Sequence, residues 1–130
     1  MINACSKEGE KKSFYPDIFT KTELALSPLS TLDTPINSKE VAKSGVLYDM
    51  EGYGFCAAAN AHLQTHQYQL IKIVSDTLSD KLFSKEFVYE LFMKNIEKIE
   101  AFLSALELDL HILDRIEREE IGRASWRERV

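Results

Sequence analysis

Two carboxylates stand where apolar runs stop. Glu51 lies in VLYDMEGYGFCAAA, residues 46–59, and Asp76 closes IKIVSD, residues 71–76. An ionised carboxylate presents two acceptor oxygens and no donor. Glu51 therefore suits a vicinal diol, taking one hydroxyl on each oxygen, and Met50 beside it offers a soft apolar wall for a sugar face. Glu51 falls where strand gives way to helix, so orphan N–H groups and the helix dipole favour its charged form. Asp76, at the mouth of an apolar strand, is partly desolvated, which favours its neutral form. A neutral aspartic acid donates to a ring nitrogen and serves as a general acid, with Ser75 placed to orient it. A plain structural role stands beside each reading. Glu51 would then be a helix-start carboxylate without a ligand, and Asp76 a turn cap.

Positioning both groups requires neighbouring strand ends, the crevice where α/β sheets bind ligands. The residues 46–48 form a short β-prone run after Gly45. Tyr53, Phe55, Cys56, Ala59 and Leu63 then recur at helical spacing. Gly52 and Gly54 near that helix start serve either close approach of a backbone or ligand, or tight helix–sheet packing. Residues 67–74, QYQLIKIV, are the best strand candidate, with Lys72 interrupting the apolar run and needing an edge or a partner. From Ser84, a plausible N-cap, an amphipathic helix begins. Val88, Leu91, Phe92, Ile96, Ile99, Phe102, Leu103 and Leu106 make a stripe expected to face the core. Beyond it, Leu108, Leu110, Leu113 and Ile116 either prolong the helix or start another. Upstream, residues 20–37 are rich in Ser, Thr and Pro, and are expected to hold one or two short strands, one around residues 24–26, turned at Pro28 and Pro35. The order of elements is an α/β pattern, helices against a mainly parallel or mixed sheet, closed by a long C-terminal amphipathic helix.

Composition narrows the function. The chain has 130 residues, enough for one modest core, and a net charge of -5, which argues against a nucleic-acid surface. Its apolar runs are too short to span a bilayer, and no basic-then-apolar leader opens it. Cys5 and Cys56 form no spaced set. Cys56 reads as a buried free thiol in a reducing compartment, hence a cytoplasmic location. His62 and His66 are four apart, but a metal pair needs a third ligand and none is evident. Residues 1–12 contain no strand-like run and are expected to be a poorly ordered start of a truncated chain. Residues 119–130 are expected to be a non-native tail, since residues 120–130 resemble a translated sequencing adapter.

DMEGYGFCAAA followed by IKIVSD resembles the C-terminal part of the nucleoside phosphorylase and nucleosidase superfamily. That group includes purine nucleoside phosphorylases and methylthioadenosine/S-adenosylhomocysteine nucleosidases. Residues 27–33, SPLSTLD, also look like a strand of that family leading into the motif. The resemblance implies a partial phosphorylase-type domain over residues 13–118, part of a three-layer fold with a mixed sheet flanked by helices. It implies that Glu51 holds the ribose 2′- and 3′-hydroxyls, that Met50 packs on the sugar, and that Asp76, aided by Ser75, protonates or hydrogen-bonds a departing purine. Protonating the leaving group would contribute ~10²–10⁴-fold. Lys72 stands where nucleosidases of the group often carry arginine, which keeps the charge but loses the planar fork. Phe83 lies near where some members place an aromatic over the ligand.

The Gly-containing phosphate or water site of the family's N-terminal half has no counterpart here. The expected function is therefore cleavage of the N-glycosidic bond of a purine nucleoside in a full-length parent, by phosphorolysis or hydrolysis, with this chain inactive alone. No cofactor is implied, only phosphate as co-substrate for a phosphorylase. The implied partners are a small-molecule nucleoside and other copies of the parent, with neither nucleic acid nor membrane. A non-catalytic nucleoside-binding or assembly protein of the same fold is the competing reading.

Overall fold

The computed structural model describes residues 1–36, 42–75 and 84–127. Five elements follow in the order β1 (Ile2–Lys7), β2 (Ser27–Thr31), β3 (Leu47–Asp49), α1 (Gly52–His62) and α2 (Lys85–Arg127). The three strands form one parallel sheet in the order β1-β2-β3. The chain is thus α/β, with a small parallel sheet and a long C-terminal helix. Antiparallel pairing is confined, among the described residues, to an isolated bridge between Cys5 and Phe14.

Register decides which residues meet α1. Cys5, Leu29 and Leu47 stand abreast, and Lys7, Thr31 and Asp49 stand abreast one step further along. Side chains alternate between faces along a strand, so these six share one face. α1 lies against it: Cys5, Leu29 and Cys56 are buried in one cluster with Ile2, Phe14 and Tyr68. Cys56 is a buried free thiol, as is Cys5. The opposite face carries Ser6, Ser30 and Tyr48, and borders a cleft of about 440 Å³. Gly45 holds a positive φ of 78° in the turn before β3, a conformation that glycine adopts without steric cost.

Three expectations change. The first concerns residues 1–12, where β1 occupies Ile2–Lys7. Asn3, Ser6 and Lys7 hide the strand in the sequence. A register shift between Ile2 and Ala4 lets Ile2 and Cys5, three apart, both turn inward and become fully buried.

The second concerns Pro28, which lies within β2 rather than at a turn; β2 begins at Ser27, inside the strand expected over residues 27–33, and no strand forms around residues 24–26. Ser27 N–H donates to Met1 O at 3.0 Å, so the next nitrogen faces away from β1. Pairing with β3 starts only at Leu29. Proline's missing N–H therefore falls where the ladder needs no donor.

The third concerns residues 67–74, which form no strand. Ile2 N–H donates to Leu70 O at 2.9 Å, but Cys5 exchanges two hydrogen bonds with Phe14. The free edge of β1 is thus divided between two segments, and the apolar run gains only one rung.

α2 starts as its sequence indicates. Ser84 Oγ accepts from Phe87 N–H at 3.1 Å, an N-cap bond. The helix then continues for 43 residues, about 65 Å, with no break after Leu106. Among the described residues its stripe is covered only in part, with Leu91, Ile96, Ile99 and Leu106 half-buried. Phe102 is 3% exposed, whereas Val88, Phe92 and Leu103 remain about half exposed. The helix meets the body beside Lys21, Leu24 and Ala25, across a cleft of about 670 Å³. Among the described residues no helix is long and apolar enough to cross a membrane.

Candidate functional site

The C-terminal ends of β2 and β3 and the N-terminus of α1 converge on Asp49. Thr31 Oγ donates to Asp49 Oδ1 at 2.7 Å, and Gly52 N–H donates to Asp49 Oδ2 at 2.8 Å. Tyr53 N–H donates to Thr31 Oγ at 2.9 Å. Two strand-end oxygens therefore satisfy the first orphan donors of α1 and seat the helix on the sheet. Gly52 is required for this seating. A Cβ there would collide with Leu29 Cδ2 and approach Asp49 Oδ2 to 2.8 Å. Of the two uses open to that glycine, backbone packing accounts for it, while a Cβ on Gly54 would meet nothing within 4 Å.

Lys72 completes the arrangement. Its Nζ lies 2.5 Å from Asp49 Oδ2 and 3.9 Å from Glu51 Oε2. This is the partner that a lysine inside an apolar run requires. Burial pushes the Asp49 carboxyl upward, but the hydrogen bonds from Lys72 and Thr31, the Lys72 charge and the Gly52 N–H outweigh it. The net result holds Asp49 below the ordinary carboxylate range.

Glu51 is placed differently. It occupies the N-cap position of α1 but makes no side-chain capping bond, and its side chain is 79% exposed. Met50 beside it is also exposed. Ser75 is exposed three residues beyond Lys72. Asp76 and Phe83 lie outside the described residues. The structure thus brings Met50, Glu51 and Lys72 together at the end of β3. It also separates two carboxylates two residues apart into an inward structural one and an outward, largely exposed one. Among the described residues the Glu51 carboxylate meets only the long contact with Lys72, which leaves it able to accept two hydroxyl groups.

Asp49 and Thr31 are the residues that sequence reasoning missed. Their signal was the alternation itself: counting by two from Leu47 turns Asp49 to the same face as Leu29 and Thr31. Among the described residues no cluster of three or more His, Cys, Asp or Glu is arranged to hold a metal. His62 ends α1 and is exposed, as is His66. Compared with known proteins, the chain matches no family model, no curated protein and no solved structure.

Proposed function

We propose that this chain is the ribose- and base-binding part of an enzyme that cleaves the N-glycosidic bond of a purine nucleoside, within a phosphorylase-type three-layer fold. The observation that carries this reading is the outward carboxylate of Glu51, next to exposed Met50 at the C-terminal end of a parallel strand. That is the side of an α/β sheet where ligands bind. In this reading Glu51 accepts the ribose 2′- and 3′-hydroxyls and Met50 lies under the sugar. Lys72 helps set the Glu51 side chain. Asp76, with Ser75, donates a proton or hydrogen bond to the purine as the sugar gains oxocarbenium character. Phosphate or water attacks from a site supplied by the longer parent, and the chain alone is inactive. The cleft beside the sheet face of Ser6, Ser30 and Tyr48 fits a further layer of the parent. Two buried reduced thiols fit a cytoplasmic setting.

The test is purine release from inosine, adenosine and methylthioadenosine by the parent, with and without phosphate. Release that requires phosphate identifies a phosphorylase, and release without it a hydrolase. Nucleoside binding with no release under either condition would replace this reading with the non-catalytic binding protein.

A further inference from the structure

The apolar residues of α2 follow a stricter rule than a core-facing stripe. Eight of them from Tyr89 to Leu113 recur in alternating steps of three and four residues, while Leu91, Met93, Phe102, Leu108 and Ile112 fall outside the repeat. One set is Tyr89, Ile96, Leu103 and Leu110; the other is Phe92, Ile99, Leu106 and Leu113. A repeat of 3.5 residues kept over several turns is the pattern of a coiled-coil seam, whereas a helix packed on a globular core follows 3.6. The residues of α2 that line the cleft beside the body, Asn95, Glu97, Lys98, Ala101 and Phe102, centre roughly a third of a turn away from this seam at 100° per residue. Five of its eight residues are exposed, Leu103 at 51%, Leu110 at 48%, and Tyr89, Phe92 and Leu113 as well, while Ile96, Ile99 and Leu106 are half-buried.

We propose that α2 pairs along this seam with α2 of a second copy of the chain. Area favours that occupant. Tyr89, Phe92, Leu103, Leu110 and Leu113 are 41–66% exposed and flanking Val88 and Met93 about half exposed, a continuous apolar strip of the kind that an interface of roughly 800 Å² per partner needs. An identical helix also carries the same repeat, so each knob meets a matching hole. The flanks add a signature. Glu100, Glu107, Asp109 and Asp114 border the seam, so two copies bring like charges together. Salt screens such exposed charges. Self-association must therefore strengthen as ionic strength rises, whereas a partner with basic flanks would be released.

Light scattering after size exclusion tests this on the full chain at micromolar concentration. The expected mass is a multiple of 14.9 kDa, with an assembled fraction that grows with added salt. Leu103→Glu on the seam is expected to give the monomer mass. Leu108→Glu, on the opposite side of the helix and 63% exposed, is expected to leave the assembly intact. Circular dichroism checks that the variants stay helical, and Leu110→Glu repeats the test one heptad on if Leu103→Glu does not fold. A monomeric wild-type chain, dissociation by salt, or equal disruption by Leu108→Glu would overturn the proposal.

Discussion

Lys72 Nζ lies 2.5 Å from Asp49 Oδ2, and this contact ties the irregular segment of residues 68–75 to the end of β3. The Asp49 side chain is only 10% exposed, so the pair is not an ordinary surface salt bridge. Removing the cation leaves a carboxylate that is poorly hydrated and still hydrogen-bonded for its charged form. Lys72→Met is expected to destabilise the fold by about 2–3 kcal/mol, below the cost of breaking a fully buried pair because Lys72 itself keeps some solvent contact. Urea denaturation reads this directly, and an unchanged midpoint would show that the contact carries no stability.

The same carboxylate sets the acid limit of stability. Its folded pKa is depressed from the ordinary 3.8. Its contribution is therefore present above that value and lost as pH falls through the lower, folded one. The alkaline limit runs the other way. Burial, reinforced by the neighbouring Cys56 thiol and the Asp49 charge, pushes Cys5 from 9.0 up to about 12. Between those values the unfolded chain loses a proton that the folded chain keeps, so stability falls as pH rises. Cys56 and Tyr68 are raised in the same direction, chiefly by burial. Thermal melts under reducing conditions should drop between pH 8 and pH 10.5, and Cys5→Ala should shrink that drop. An equal drop in the variant would remove Cys5 as its source.

The two glycines at the start of α1 make opposite predictions. Gly52→Ala drives a methyl group into Leu29 and Asp49, and overpacking of this kind costs about 1–3 kcal/mol. The helix-propensity gain of ~1 kcal/mol does not offset it, because the collision also displaces the Asp49 carboxylate that caps the helix. Gly54→Ala meets open space and is expected to stabilise by roughly 0.5–1 kcal/mol. Chemical denaturation of the two variants should move their midpoints apart in opposite directions. A shared direction would contradict the seating described for α1.

The sequence was legible where one local rule acts alone. The short run into β3, the helical spacing after it and the Ser84 cap all appear where local chemistry puts them. It was less legible where a partner decides. Residues 67–74 carry the composition of a buried strand, yet Phe14 already pairs with Cys5 on the edge they would need. β1 carries few apolar residues, and a register shift rather than simple alternation turns Ile2 and Cys5 inward. The stripe on α2 was visible as amphipathic, but amphipathicity does not say whether the cover comes from the same chain. Glu51 drew attention over Asp49 because both are carboxylates at one strand end. Only the pairing of β3 with β2 divides their roles.

That division gives the sharpest functional prediction. Glu51 is outward and uncapped, so Glu51→Ala should leave the denaturation midpoint where it is. If Glu51 accepts two ribose hydroxyls, its loss removes two charge-assisted hydrogen bonds of about 1.5–3 kcal/mol each, weakening nucleoside binding by the parent roughly 10²-fold or more. A 2′,3′-dideoxynucleoside should bind the wild-type parent and the variant equally weakly, because it lacks both hydroxyls. Asp49→Ala should show the reverse balance, with a lower midpoint from the lost cap and ion pair. Calorimetric titration beside denaturation separates the two outcomes. Unaltered nucleoside affinity in Glu51→Ala would leave Glu51 as a helix-start carboxylate without a ligand.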